Sequence, residues 1–239
     1  MSKKRSNWMP ILLITIVVAA CAPLLLSFRS SPLLAFEIFD RAVYNLEISY
    51  QITVLSLAII VIGIVYGIAG KEGLTYLNLR RRDGIILPEP WIGIKPKETE
   101  SWKNLGFNFT IVITLVTTVV IYFQLGYGES ISLELYPGFI FILIFSLMNA
   151  FSEEIIFRFS FVSIVSRYGF SPYIAQGLAA LTFGIVHYFG NPGGIAGVLM
   201  AAFIGWFLAK SMLETKGFFW ALTIHFLQDV VIFTALFIK

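Results

Sequence analysis

The sequence is poor in cysteine and in charged residues. It has one cysteine, Cys21, in 239 residues, which excludes an intrachain disulfide and a cysteine-based metal cluster. Only 13% of its residues are charged, whereas soluble domains have roughly 25%. The net charge of +3 is small and no basic domain is present, so a nucleic-acid-binding protein is not indicated.

Apolar residues dominate what remains. They make up 58% of the chain, and the mean hydropathy is +0.84. A transmembrane helix requires about 20 apolar residues to cross a hydrocarbon core of roughly 30 Å. We therefore predict an all-α, polytopic integral membrane protein. About seven segments qualify as transmembrane helices: Trp8–Phe28, Ile52–Ala69, Leu105–Leu125, Phe139–Val165, Tyr173–Phe189, Ile195–Met212 and Phe218–Ile238.

Charges in the loops predict the orientation of these spans. Lysine and arginine concentrate at the N-terminus and in the loop Arg80–Lys103, whose three prolines argue against a helix. The loop between the third and fourth spans instead carries the acids Glu129 and Glu134. Because basic loops stay in the cytoplasm, the N-terminus is predicted to be cytoplasmic. Three further cations are assigned to loops on that side: Arg167, Lys210 and Lys216.

Two N-terminal segments allow more specific predictions. A basic start followed by an apolar run to Cys21 is similar to a signal peptide that ends at a lipid-attachment cysteine. The apolar run continues to Phe28, so we interpret the segment as the first membrane helix. Residues Ser31–Leu46 alternate apolar and charged positions, which predicts a short helix lying in the membrane interface.

The sixth predicted span contains small residues at four-residue intervals. Such a stripe allows a neighbouring helix backbone to approach closely. We predict that it packs against another helix of the same chain, with dimerisation as the alternative. The stripe consists of Gly193, Gly197, Ala201, Gly205 and Ala209.

Ionisable residues inside the apolar segments are the candidates for function. Placing a charged side chain at the bilayer centre costs roughly 2.5–3.5 kcal/mol, so such residues are rare in membrane helices unless they have a role. Glu154 and Arg158 are four residues apart and share a helix face, so they are predicted to pair. Glu153 is rotated by about 100° and lacks this partner. Its carboxylate is therefore free to face a cavity and to act as a general base.

Both histidines of the chain also lie in apolar segments. Counted from the turn at Gly169–Ser171, Glu153 and His187 are each about 17 positions away, so an antiparallel helix pair places them at the same depth. His225 and Asp229 are four residues apart on one face of the last span. His225 is much closer to its loop, so the three sites converge only if helices tilt or the fourth and fifth spans project into the cytoplasm.

In order and spacing, these strings resemble the CPBP family of intramembrane proteases, which includes the Rce1-type CAAX prenyl endopeptidases and the bacterial Abi proteins. The family pattern is EExxxR, then FxxxH, then HxxxN or HxxxD. This chain has Glu153–Arg158, Phe183–His187 and His225–Asp229. The resemblance covers roughly residues 139–237. It implies a catalytic helix bundle over residues 131–239, preceded by N-terminal membrane helices and a basic cytoplasmic loop over residues 1–130.

The resemblance implies a glutamate-dependent membrane endopeptidase whose site lies inside the bundle. Its substrate would be a membrane-associated protein or peptide, with or without a lipid group, and no cofactor is expected. Glu153 is implied to be the general base, and His187 to help hold and activate the water. Arg158 is implied to pair with Glu154 and to hold the helix in place.

The resemblance also implies that His225 and Asp229 stabilise the oxyanion. Members closest to the prenyl-protein enzyme carry asparagine where this chain has Asp229. An amide can donate a hydrogen bond to an oxyanion, whereas an ionised carboxylate cannot. Asp229 must therefore be protonated or act by orienting His225. The difference favours the broad prokaryotic branch, and hence a prokaryotic cell membrane, over a prenylated CAAX substrate.

Two alternatives remain open at the level of the sequence. The first is a zinc protease, with Glu153, His187 and His225 as ligands, although no HExxH string is present. The second is a protein without catalytic activity. Buried acids and histidines also form ion or proton paths, and a bacteriocin-immunity or adaptor protein could keep the motifs without turnover.

Overall fold

The computed structural model describes residues 7–126 and 138–237, and within them the predicted all-α fold is confirmed. These residues contain no β-strand, only an isolated bridge between Glu89 and Ile94. The N-terminal basic residues and the acids Glu129 and Glu134, which supported the predicted orientation, lie outside the described residues. The helices are α1 (Met9–Ser30), α2 (Ala42–Gly73), α3 (Trp102–Ile121), α4 (Gly138–Glu154), α5 (Ser160–Arg167), α6 (Pro172–Val186), α7 (Gly194–Thr215) and α8 (Phe219–Phe237).

The chain is an integral multi-pass membrane protein. Within the described residues, six helical segments are long and apolar enough to cross a membrane. The predicted fifth span is shorter than expected, because α6 has 15 residues and gives way to a 3₁₀ turn at His187–Phe189. At 1.5 Å per residue α6 is about 22 Å long, less than the roughly 30 Å of a hydrocarbon core.

The predicted interfacial helix over Ser31–Leu46 is wrong. Residues 31–41 are not helical, and α2 begins at Ala42. Side chains of α2 bond the backbone of this segment. Asn45 Oδ1 accepts hydrogen bonds from the amides of Ile38 and Phe39 at 2.9 and 2.8 Å, and its Nδ2 donates to Phe39 O at 2.7 Å. These bonds give the backbone an alternative to helical pairing.

Lys210 holds the basic loop between α2 and α3 against α7. The prediction that Lys210 lies in a loop is wrong, because it is fully buried within α7. Its Nζ donates to Leu87 O at 2.9 Å, to Glu89 Oε1 at 3.2 Å and, in a closer contact, to Glu214. The second oxygen of Glu214 accepts from Trp102 Nε1 at 2.7 Å. The ammonium group can be buried without a large energetic penalty because each of its three protons has an acceptor.

The loop itself forms no α-helix, as its prolines predicted. Its regular structure is a 3₁₀ turn at Pro90–Ile92 and the bridge between Glu89 and Ile94. Cys21 is buried within α1, which continues to Ser30. This agrees with the interpretation of residues 8–28 as a membrane helix.

The small residues of α7 pack against α6 and the turn that follows it, which confirms the predicted packing within the chain. A Cβ atom on Gly205 would lie 2.8 Å from Ala179 O, and one on Gly197 would lie 2.0 Å from Pro192 O. Both distances are too short for any side chain. The close approach of α6 to α7 therefore depends on Gly205, and the packing of α7 against the loop before it depends on Gly197.

A π-helical segment interrupts the centre of the bundle. Residues Ile155–Phe159 link α4 to α5 with a wider turn, and all five side chains are fully buried. Such segments are frequent at functional sites because they change the direction in which neighbouring side chains point. This one follows directly after Glu153 and Glu154.

Candidate active site

Glu154 and Arg158 form the buried ion pair that their spacing predicted. Arg158 Nη1 lies 3.1 Å from Glu154 Oε1, and neither side chain is accessible to solvent. The guanidinium carbon of Arg158 also lies 3.5 Å from the centroid of the Phe183 ring. Among the described residues, the guanidinium nitrogens have no hydrogen-bond partner of good geometry. The ion pair and the aromatic face therefore compensate for the burial of this charge.

His225 connects α8 to both glutamates of α4. Its Nδ1 lies 2.7 Å from Glu154 Oε1, and a carboxylate oxygen can only accept, so Nδ1 carries a proton. Its Nε2 lies 3.5 Å from Glu153 Oε2 and 3.7 Å from Asp229 Oδ1. The two nitrogens therefore face carboxylates on opposite edges of the ring.

Asp229 is held by an amide from α4. Asn149 Nδ2 donates to Asp229 Oδ2 at 3.1 Å, and Asn149 Oδ1 accepts from Gln51 Nε2 at 3.4 Å. Gln51 Nε2 also donates to Glu47 Oε1 at 2.8 Å, and Arg29 Nη1 donates to the same oxygen at 3.3 Å. A chain of polar side chains therefore runs from α1 through α2 and α4 to α8.

His187 lies just beyond the end of α6, in the 3₁₀ turn. Its Nδ1 is 2.9 Å from Phe183 O. A carbonyl oxygen only accepts, so Nδ1 carries the proton and Nε2 is the acceptor of the neutral ring. The imidazole stacks on the Phe183 ring with 4.0 Å between centroids, and Phe183 also contacts His225 at 5.6 Å. Phe183 therefore contacts the rings of both histidines.

An open cavity of about 180 Å³ brings these groups together. Glu153, His187 and Asp229 line it, as does Asn149. Glu153 keeps 14% of its side chain exposed, whereas Glu154 has none. A second cavity of about 50 Å³ is lined by His187, His225 and Asp229. The unpaired glutamate thus reaches open space, as the sequence predicted.

The structure therefore places all six predicted residues in one cluster on α4, α8 and the segments that follow α4 and α6. His225 contacts both Glu154 and Asp229 despite their different distances from the loops. The roles assigned to the six residues stay predictions. The six are Glu153, Glu154, Arg158, His187, His225 and Asp229.

The comparison with known families agrees with this geometry. Residues 135–231 match the family model of type II CAAX prenyl endopeptidase Rce1-like proteins. This match supports membership in the CPBP family. The match contains all three motifs, and it supports a relationship to CAAX-type membrane endopeptidases. No curated protein and no solved structure matches the chain.

The sequence analysis missed several polar residues of the site. Asn149 lies four residues before Glu153 and hence on the same helix face, a spacing that could have revealed it. Gln51, Glu47 and Arg29 lie outside the region that matches the CPBP family, and no motif marks them. Their contribution became visible only when α1 and α2 packed beside α4.

For the alternative of a zinc site, the described residues contain no preformed set of three ligands. No three side chains of histidine, cysteine, aspartate or glutamate within residues 7–126 and 138–237 are arranged to hold a metal ion. Glu153 and Asp229 instead face the same nitrogen of His225, at 3.5 and 3.7 Å.

Proposed function

We propose that the protein is a glutamate-dependent intramembrane endopeptidase that cleaves a membrane-associated protein or peptide. One observation carries this proposal. The Glu153 carboxylate is exposed to a cavity that His187 and Asp229 also line, while its Oε2 lies 3.5 Å from His225 Nε2. Peptide hydrolysis requires a base for water next to a binding space, and this arrangement supplies both.

In the proposed reaction, Glu153 and His187 hold the attacking water. Glu153 and the neutral His187 Nε2 both accept hydrogen bonds, so a water molecule that donates to both directs a lone pair at the substrate. Glu153 takes a proton as the water oxygen bonds to the carbonyl carbon, and the carbonyl π electrons move to oxygen. When this tetrahedral intermediate collapses, the C–N bond breaks and the departing amine takes the proton from Glu153.

The other four residues orient these groups. The pair of Glu154 and Arg158 fixes the helix next to Glu153, and Glu154 holds His225 through Nδ1. Asp229 accepts a hydrogen bond from Asn149 and faces His225 Nε2. These contacts support the second of the two roles considered for Asp229, in which its carboxylate orients His225.

The remaining cavity wall supports a membrane-associated substrate. It includes apolar side chains from α1 and α8, among them Leu25, Leu26, Ile232 and Phe233. An extended peptide next to the bilayer could place its apolar side chains there, with or without an attached lipid. No cofactor and no nucleic acid is part of this proposal. We further propose a prokaryotic cell membrane as the location, with the N-terminus in the cytoplasm.

A comparison of membrane proteomes tests this function. Cells that express the wild-type protein and cells that express Glu153→Gln are compared for peptides whose cleavage vanishes in the variant. Glu98→Gln is the matched control, because it makes the same change on an exposed loop residue. We expect a set of cleavage products that is present with wild type and Glu98→Gln and absent with Glu153→Gln at equal expression.

Two outcomes would contradict the proposal. Cleavage products that persist with Glu153→Gln would show that this carboxylate is not the base. A biological effect that persists without any cleavage would indicate an immunity or adaptor function. Treatment of the purified protein with 1,10-phenanthroline completes the test, since loss of cleavage that zinc restores would favour the metalloprotease alternative.

A further inference from the structure

We propose that Asn149 donates the hydrogen bond that stabilises the oxyanion during peptide cleavage. This inference rests on the proposed function and concerns a residue to which no motif assigns a role. The transition state of amide hydrolysis places negative charge on the former carbonyl oxygen, and donors aimed at that oxygen are often the largest catalytic term. Asp229, an acceptor when ionised, cannot supply such a donor.

The motif residues are poor donors in this arrangement. Glu153 and Asp229 are acceptors when ionised. The Nδ1–H of His187 is used by Phe183 O, and the Nδ1–H of His225 is used by Glu154. The Nε2 of His225 faces two carboxylates. His225 also does not line the cavity that holds Glu153, so a donor from outside the motifs would complete the site.

Asn149 meets the geometric requirement. It lines the cavity together with Glu153 and precedes it by one helical turn, so the two side chains are neighbours on one face of α4. A carbonyl group attacked by water on Glu153 would thus lie within reach of the Asn149 amide. One Nδ2 hydrogen is donated to Asp229, and the second is available to the substrate.

The orientation of the Asn149 amide follows from its neighbours. Gln51 Nε2 must be a donor because it contacts the Glu47 carboxylate at 2.8 Å. The Asn149 atom that faces Gln51 is therefore the oxygen, which directs the Nδ2 group to the Asp229 carboxylate. A donor fixed from both sides costs no reorganisation when charge develops on the substrate.

Three other side chains on the cavity wall can donate: Arg29, Tyr50 and Asn191. Arg29 is already paired with Glu47 at 3.3 Å and belongs to α1. Tyr50 belongs to α2, and Asn191 lies in the loop after α6. None of them is on the helix that carries Glu153. The competing donors can be tested directly with Tyr50→Phe and Asn191→Leu.

The test uses the full-length protein in lipid nanodiscs, and the probe is a synthetic peptide that spans a cleavage site found in the proteome comparison. Asn149→Asp is close to isosteric and leaves two carboxylates without an amide. Asn149→Leu removes the amide without adding charge. We expect both to lower kcat by about 10²–10³-fold with little change in KM, the loss seen when one oxyanion donor is removed.

The exchange variant Asn149→Asp with Asp229→Asn separates catalysis from structure. It keeps an amide and a carboxylate at this contact but moves the amide to α8, where it still borders the cavity. We expect it to recover kcat at least tenfold over Asn149→Asp. If Asn149 merely orients the Asp229 carboxylate, the exchange variant will be as inactive as Asn149→Asp, because it has no carboxylate at position 229 to face His225.

Several results would overturn the inference. One is a wild-type kcat for folded Asn149→Leu, and another is no recovery of kcat in the exchange variant. A third is a large loss of kcat in Tyr50→Phe or Asn191→Leu but not in the Asn149 variants. Glu153→Gln is measured on the same peptide. If Glu153→Gln still cleaves, the proposed function fails. If Glu153→Gln is inactive while Asn149→Leu is fully active, only the role of Asn149 fails.

Discussion

The Nδ1 atom of His225 lies 2.7 Å from Oε1 of Glu154, although 71 residues separate the two in the sequence. The same carboxylate oxygen lies 3.1 Å from Arg158 Nη1. One oxygen atom therefore joins the imidazole of α8 to the guanidinium that follows α4. The adjacent Glu153 lies outside this pair and remains exposed to the cavity.

Removal of the Glu154 carboxylate should strongly destabilise the protein. In Glu154→Ala, Arg158 would be a fully buried charge without its partner, which costs about 3–5 kcal/mol of unfolding free energy. The double variant Glu154→Met with Arg158→Met should lose less, because no unpaired charge remains. Unfolding in detergent, followed by circular dichroism, measures both. Equal loss in the two variants would show that the ion pair is not what the fold requires.

His187 should be required for cleavage but not for folding. Its side chain is partly exposed on the cavity wall. His187→Ala is expected to lower kcat by about 10²–10⁴-fold, with a melting temperature close to that of wild type. His187→Asn keeps a donor for Phe183 O but lacks the Nε2 acceptor, and should be equally inactive. An active His187→Asn would reduce the role of this residue to its hydrogen bond with Phe183.

Lys210 should be essential for the attachment of the basic loop. Lys210→Met leaves Glu89 and Glu214 without their cation in a buried site, and we expect a loss of about 3 kcal/mol or more. Limited proteolysis should then cut the loop faster. The control is Lys103→Met, whose ion pair with Asp83 is exposed and should contribute less than about 1 kcal/mol. Unchanged proteolysis of Lys210→Met would contradict the proposed attachment.

The contact between α6 and α7 should tolerate no side chain at Gly205. In Gly205→Ala the new methyl group would lie 2.8 Å from Ala179 O, so the helices must move apart. We expect a loss of about 1–3 kcal/mol. Gly67→Ala makes the same change where nothing lies within 4 Å, and should be neutral or stabilise by up to about 1 kcal/mol. Thermal unfolding of the two variants in parallel checks the difference.

Much of this arrangement was predictable from local features of the chain. The four-residue spacing of Glu154 and Arg158 predicted their pair, and the small residues of α7 predicted a close helix contact. The spacing of His225 and Asp229 placed both on one face of α8. Such features could be inferred because helix geometry relates residues three or four positions apart without reference to the rest of the fold.

The predictions from the sequence were wrong where a residue has hydrogen-bond partners from a distant part of the chain. Lys210 was assigned to a cytoplasmic loop from the distribution of basic residues, yet it lies within α7, where Leu87, Glu89 and Glu214 satisfy its ammonium group. The segment before α2 was predicted to be helical, yet Asn45 takes up its backbone hydrogen bonds. Each error reflects a contact that spacing within one helix cannot show.

The sequence by itself determined that this is a helical membrane protein with three polar motifs in a particular order, because hydropathy and helical periodicity are properties of neighbouring residues. Only the tertiary structure decided which groups meet. It placed His225 between Glu153, Glu154 and Asp229, and added Asn149 and Gln51 from outside the motifs. The reason is that such contacts depend on how α1, α2, α4 and α8 pack, and packing is set jointly by all of their side chains.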